Sequence, residues 1–196
     1  MVKRLVILDF DGTIYKGDSL LHFARFLNPV KYYGSLMITF FPFMLSKLGF
    51  FSMGRVKELF FSMNLKGLSQ QQLQERGNAF FAKYQLNLFP KAIGYILKEQ
   101  EQGSRCIVVS ASSGEWLQPF CDFLELELIC TRLAYDEQGK CTGRLLGGNV
   151  KGRGKISALK KVVDLTEYDS VVAFGNSAED RILATVSQHY HHRFFE

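Results

Sequence analysis

The sequence predicts an α/β protein: a Rossmann-like parallel sheet core with helices on both faces, interrupted by an inserted α-helical cap. Three observations lead there. After Pro90, short β-branched runs alternate with amphipathic stretches, the pattern of a parallel sheet covered on both faces. Before it, from about Ser19, apolar residues recur with a helical period. The composition changes in that same stretch. Between Gly17 and Pro90 stand eight Lys/Arg against three acids, while the remainder carries sixteen of each sign, so the whole net charge of +5 sits in the insert. Twelve of the 18 phenylalanines lie there too. We therefore expect a core of residues 1–16 and 91–196 and a helical cap of residues 17–90.

Arg4–Leu8 (RLVIL) reads as a buried strand. In the insert, Leu20, Phe23 and Phe26–Leu27 mark one helical face, Val56, Leu59–Phe60 and Met63 a second, and Leu73, Gly77, Phe80–Phe81 and Tyr84 a third. Pro90 closes this helical region. Ala92–Glu101 reads as helix with Gly103 as its stop. Cys106–Val109 reads as strand, Gly114–Leu124 as helix and Leu128–Cys130 as a short strand. Asp136–Gly139 is a turn between extended pieces. Ile156–Val163 is helical, Val171–Phe174 a strand and Glu179–Ala184 helical. In such sheets the ligand site lies beyond the carboxyl ends of the strands.

Several function classes recede on composition. The chain has 196 residues, 47% hydrophobic and 22% charged, enough for a real core in a soluble protein. Cys106, Cys121, Cys130 and Cys141 show no CxxC spacing, so we expect reduced, buried thiols in a cytoplasmic protein. Asp9 and Asp11 interrupt the first apolar run too early for a signal peptide. The basic residues of the insert are scattered, which gives no patch for nucleic acid. Tyr32–Ser46 is uncharged over 15 residues, short of the ~20 that span a bilayer, and Pro42 interrupts it. A buried cap helix or hairpin is the favoured reading of this segment. An interfacial segment, with Phe entering lipid and Lys31, Lys47 and Arg55 meeting anionic headgroups, is the alternative. His189, His191 and His192 have no acidic partner nearby in sequence and read as an exposed terminal segment rather than a metal site. Trp116 is expected either to line the pocket or to fill the core.

The chemistry concentrates in LVILDFDGT. Two carboxylates one residue apart follow a buried strand, with Gly12 for a tight turn and Thr13 to brace it. Two carboxylates this close repel in a partly dry site unless a cation or a proton compensates. One can then act as nucleophile while the other handles protons. The alternative is an acidic turn that caps a helix or binds calcium.

Asp9-Phe10-Asp11-Gly12-Thr13 resembles motif one, DxDGT, of the haloacid dehalogenase-like hydrolase superfamily. The later motifs of that superfamily have counterparts in order. Ser110, directly after Val109, matches the Ser or Thr that ends a strand. Lys155, in Gly152-Arg153-Gly154-Lys155, matches a G-x-x-K entering a helix. Gly175, Asn176 and Asp180 match G-D-x-x-x-D, with Asn176 a departure from the usual acid. The position of the helical insert resembles the phosphoserine-phosphatase-like subfamily.

The resemblance implies a phosphatase that works through an aspartyl-phosphate. Asp9 would be the nucleophile, Asp11 the general acid and base, and Lys155 the cation. Ser110 and the Ala111 N–H would hold phosphoryl oxygens. Mg²⁺ would be held by Asp9, the Asp11 carbonyl, Asn176 and Asp180, and Asn176 would lower its affinity. Asp18 and Arg55 would contact the substrate. Halide leaves without a proton whereas an alkoxide needs one, so Asp11 favours phosphate esters over carbon–halogen bonds.

The Phe-rich, basic cap suits a bulky or apolar ester, including a lipid phosphate, and is similar to that of bacterial phosphatidylglycerophosphate phosphatases of this subfamily. A phosphoserine-type substrate, a phosphomutase and a non-catalytic phosphate-binding regulator remain open beside it. The oligomeric state stays undetermined.

Overall fold

Strand β1 (Arg4–Leu8) lies inside a six-stranded sheet in which every residue but the first is buried. In the computed structural model, which describes residues 3–50 and 52–196, the chain runs from β1 into four helices. These are α1 (Ser19–Leu27), α2 (Pro29–Lys47), α3 (Met53–Asn64) and α4 (Gln70–Tyr84). The chain then returns through α5 (Pro90–Glu101), β2 (Arg105–Ser113), α6 (Gly114–Phe123), β3 (Glu127–Tyr135), β4 (Cys141–Leu146), α7 (Arg153–Leu159), β5 (Ser170–Gly175) and β6 (His189–His192). Phe51, one of the phenylalanines counted in the insert, lies outside the described residues.

The strand order is β4-β3-β2-β1-β5-β6, with β3 and β4 antiparallel and all other neighbours parallel. The carboxyl ends of β1, β2 and β5 therefore open on the same edge. Alternate residues of β1 serve the two faces, as strand geometry dictates. Val6 and Leu8 join the cluster shared with the insert, and Leu5 and Ile7 join the cluster under α7.

The three insert faces expected from periodicity fall on α1, α3 and α4, each started by a side-chain cap from Asp18, Ser52 or Ser69. Ser69 and Gln72 complete a capping box. Pro90 does end the insert, and does so as the first residue of α5. The two chain crossings between insert and core are tied together. Tyr15 bridges Leu88, Lys16 N–H donates to the Asn87 carbonyl at 2.8 Å, and Phe89 N–H donates to the Ile14 carbonyl at 2.8 Å.

Several expectations need correction. Ser110 lies within β2 rather than after it, because pairing with β3 continues to Ser113 across a register shift between Ser110 and Ser113. Residues 179–184 form a 3-10 stretch, Asp180–Thr185, rather than an α-helix. The histidine segment is not a loose terminus: it is β6, an edge strand paired in parallel with β5, with His191 stacked on Phe174 at 4.9 Å. Tyr32–Ser46 belongs to one continuous helix, α2, and its outer side chains are exposed rather than buried. The physical reason is that its inward side is taken by Ser35 and Thr39, which are satisfied by hydrogen bonds, and by the half-buried Tyr32 and Leu36, so the other large apolar residues fall on the outer side.

The insert and the sheet share one aromatic core. Phe23 of α1 stacks on Trp116 of α6 at 5.0 Å, and Phe80 of α4 meets Phe120 of α6 at 5.8 Å. Trp116 is fully buried, so its core role holds. The four cysteines carry no disulfide.

Candidate active site

The site begins with the turn after β1. Asp9 N–H donates to the Phe174 carbonyl of β5 at 3.0 Å, which continues the ladder by one residue and fixes Asp9 at the sheet edge. The next residues fold back: the N–H groups of Thr13, Ile14 and Tyr15 all reach the Phe10 carbonyl. Gly12 has φ +72, and a Cβ there would meet the Asn176 amide at 1.8 Å. The turn thus needs glycine twice over, for its conformation and for the close approach of Asn176.

Lys155 lies in the first turn of α7, with its ammonium buried between two carboxylates. Nζ donates to Asp9 Oδ1 at 2.5 Å and to Asp180 Oδ1 at 2.6 Å. Thr13 Oγ1 donates to Asp9 Oδ2 at 2.9 Å. Ser177 donates to Asp180 Oδ2 through both its N–H, at 2.9 Å, and its hydroxyl, at 2.5 Å. Residues 146 positions apart in sequence are joined here by one charge-assisted contact.

Asp11 faces the insert. Its Oδ1 accepts from Ser19 N–H at the start of α1 at 2.7 Å, and its Oδ2 accepts from Ser112 Oγ at 2.6 Å. Behind it a relay runs inward. Trp116 Nε1 donates to Ser19 Oγ at 3.2 Å, and Ser19 Oγ donates to Ser112 Oγ at 3.2 Å. The irregularity in β2 presents Ala111 and Ser112 to the site, while Ser110 stays fully buried with its Oγ accepting from Ser112 N–H at 3.0 Å.

Electrostatics separate the groups. Burial pushes Asp9 up to about 6, with Lys155 opposing the shift and Asp180 and Asp11 adding to it. Burial also pushes Asp11 up to about 6, reinforced by Asp18 and opposed by its hydrogen bonds from Ser112 and Ser19. For Asp180, burial is outweighed by Lys155 and the Ser177 donors, and its pKa is lowered. Burial disfavours the Lys155 ammonium, but Asp9 and Asp180 more than offset this and hold its pKa above the ordinary value.

These groups close one end of a cavity of about 750 Å³. Asp9, Asp11, Asp18, Lys155, Asn176 and Asp180 line it, as do Ala111 and Ser112. Its far wall is apolar and comes from the insert: Leu20, Leu36, Phe40, Met53, Val56 and Phe60. Asp18 also caps α1, accepting from Leu21 N–H at 3.0 Å. Arg55 is exposed and is not among the lining residues. Lys57 lines the cavity instead, its Nζ donating to the Ala111 carbonyl and, at 3.3 Å, to Asn149 Oδ1. Burial lowers its pKa to about 8.

Sequence reasoning missed Lys57, Ser19 and Ser112. Arg55 and Lys57 carry the same charge two positions apart, and only the phase of α3 decides which faces inward. Ser112 carried a signal that could have found it, since a second serine follows the motif serine by two residues, the strand's own period.

The donor chemistry fits a divalent cation. Among the described residues no cluster of three His, Cys, Asp or Glu side chains gathers for a metal. Two carboxylates, Asp9 and Asp180, do converge, and Asn176 stands over the Asp9–Thr13 turn. Two carboxylates with an amide oxygen, a main-chain carbonyl and waters make a hard-oxygen set of the kind Mg²⁺ accepts. Five acids and three lysines line the cavity, an excess of negative charge that such an ion would offset.

Comparisons with known proteins agree with this fold. The family model described as haloacid dehalogenase-like hydrolase matches residues 6–185. Protein CicA from Caulobacter vibrioides is 26% identical over 194 residues, covering 97% of this chain and 86% of CicA. A protein of unknown function from Bordetella pertussis Tohama I superposes with TM-score 0.84 at 19% identity, covering 97% of this chain and 89% of that one. A phosphoserine phosphatase structure with a phospho-aspartyl intermediate analogue superposes with TM-score 0.69 at 19% identity, over 97% and 86% of the two chains. The fold is shared with that phosphoserine phosphatase.

Proposed function

The chain belongs to the haloacid dehalogenase-like hydrolases, and from that premise we propose that it hydrolyses a phosphate monoester with a bulky, apolar alcohol, a lipid phosphate being one such ester. One observation carries the reading. The Lys155 ammonium joins Asp9 and Asp180 at the polar end of a cavity whose opposite wall is built from Leu36, Phe40, Val56 and Phe60.

In this reading an Asp9 carboxylate oxygen attacks phosphorus in line as the ester oxygen departs, giving an aspartyl-phosphate and an alcohol. Asp11, whose pKa burial raises to about 6, gives a proton to the leaving oxygen. It then takes a proton from the water that attacks phosphorus and frees Asp9. The relay from Trp116 through Ser19 and Ser112 keeps the Asp11 carboxyl oriented for both transfers. Lys155 offsets the charge that builds as one anion approaches another. Two unit charges at ~4 Å interact by about 4 kcal/mol at an effective dielectric of 20. Mg²⁺, held by Asp9, Asp180, the Asp11 carbonyl and Asn176, would supply further charge compensation on the phosphoryl oxygens. Lys57 and Ala111 line the same end of the cavity, and the Lys57 ammonium and the Ala111 N–H would hold the remaining phosphoryl oxygens.

A phosphoserine-type substrate is the second reading, favoured by Asp18 and Lys57, an acid and a base that line the same cavity. Phosphate release from a panel of phosphorylated amino acids and lipids separates the two. The enzymatic reading itself is tested with a generic aryl phosphate and Mg²⁺. Asp9→Asn is expected to lower the rate by on the order of 10³-fold or more, and equal rates for the two proteins would remove the proposal.

A further inference from the structure

Helix α2 turns most of its large apolar side chains toward water. Its buried positions are polar, with the half-buried Tyr32 and Leu36 packed on the core beside them. Ser35 and Thr39 are buried, Asn64 Nδ2 of α3 donates to Ser35 Oγ at 2.8 Å, and Thr39 Oγ1 donates to the Ser35 carbonyl at 2.7 Å. Large apolar residues recur on its outer side with a helical period: Val30 is 82% exposed, Met37 82%, Phe40 64% and Phe41 68%, and Leu48, just past its end, is 70% exposed. Contiguous exposed apolar surface on this scale marks an interaction face.

Two further features say what covers it. No acid occurs between Asp18 and Glu58, while Arg25, Lys31 and Arg55 of that stretch are exposed, so the segment that carries the stripe presents positive charge and no acid. Two copies of this chain would bring like charges together on this face, whereas an anionic surface would neutralise them. The stripe is also continuous with the candidate site, because Phe40 both stands exposed and lines the cavity that ends at Asp9.

We propose that the outer face of α2 is a docking surface for an anionic lipid bilayer, which seats the mouth of the cavity at the membrane. Among the described residues no helix is long and apolar enough to cross a membrane, so the contact is in the plane of the interface. There Met37, Phe41 and Leu48 enter the acyl boundary and the surrounding basic residues meet the headgroups. A phosphate ester with an apolar tail could then pass along Phe40 without leaving a hydrophobic environment. That last step rests on the function proposed above; the docking itself does not.

Vesicle flotation of the full chain tests it without turnover. Binding is expected to vesicles containing phosphatidylglycerol, to weaken as salt is raised, and to be at least about tenfold weaker on pure phosphatidylcholine. The double variant Met37→Glu/Phe41→Glu should lose vesicle binding by a similar factor while hydrolysing a soluble aryl phosphate like the parent, since neither residue lines the cavity. Asp9→Asn should float like the parent. Failure to bind anionic vesicles, binding indifferent to lipid charge, or binding that survives the double variant would each overturn the proposal. So would a soluble dimer that the double variant dissociates. If the parent floats but releases no phosphate from any ester, the phosphatase reading fails and the docking surface stands.

Discussion

Lys155 sits among more negative charge than it can cancel, and the residues around it divide that burden unequally. Asp180 stays ionised through Ser177 and Lys155, whereas Asp9 and Asp11 are driven upward by burial. Asn176 stands where the family pattern has an acid, so restoring the charge is informative. Asn176→Asp should lower the Mg²⁺ concentration for half-maximal activity by on the order of tenfold; a titration with an unchanged or higher requirement would place Asn176 away from the metal. Lys57 gives a pH prediction. Its folded pKa of about 8 means that the ammonium is present below that pH and is lost as pH rises through it. KM should therefore climb above pH about 8 with little change in kcat. Lys57→Met should raise KM at neutral pH by roughly 10–100-fold and abolish the alkaline rise. A profile of KM against pH that keeps its shape in the variant would remove Lys57 from phosphate binding. At this scale the residue types and spacings of the candidate site could be read directly, since DFDGT and GRGK are local patterns. Arg55 against Lys57 could not, because choosing between them needs the helix phase to within a fraction of a turn.

Elements were legible wherever period and punctuation agreed. β1 is found at its expected bounds, Arg4–Leu8, and the insert helices follow their apolar stripes. β2 ran past its apolar residues because pairing with β3 continues across the Ser110–Ser113 irregularity, and hydrophobicity carries no record of that. β6 was missed because histidines carry no strand pattern, and its order comes from the β5 edge and from the stacking of His191 on Phe174. Gly77 of α4 tests how tightly the insert is set. A Cβ there would lie 1.9 Å from the Glu115 carbonyl oxygen of α6. Gly77→Ala should cost roughly 1–3 kcal/mol through forced separation of the helices, despite the better helix propensity of alanine. The check is a lowered urea midpoint at constant m; a raised midpoint would mean the two helices can part freely.

At the scale of the molecule, the insert is separate in sequence but not in packing. Phe23, Phe60 and Phe80 of the insert share a single buried cluster with Val6, Leu8, Trp116 and Phe120. We therefore expect one calorimetric unfolding transition, with calorimetric and van't Hoff enthalpies equal; two resolved transitions would show that the insert folds independently. Composition, periodicity and short motifs are properties of neighbouring residues, and they carry the sheet-and-insert plan, the order of the candidate motifs and the excess positive charge of the insert. Three features lie beyond any such run: Asp9 and Asp180 converge on one ammonium, Lys57 rather than Arg55 enters the cavity, and the apolar face of α2 points outward. Each of these depends on how distant elements are rotated against one another, and that rotation is set by packing the shared core, not by any local run of residues.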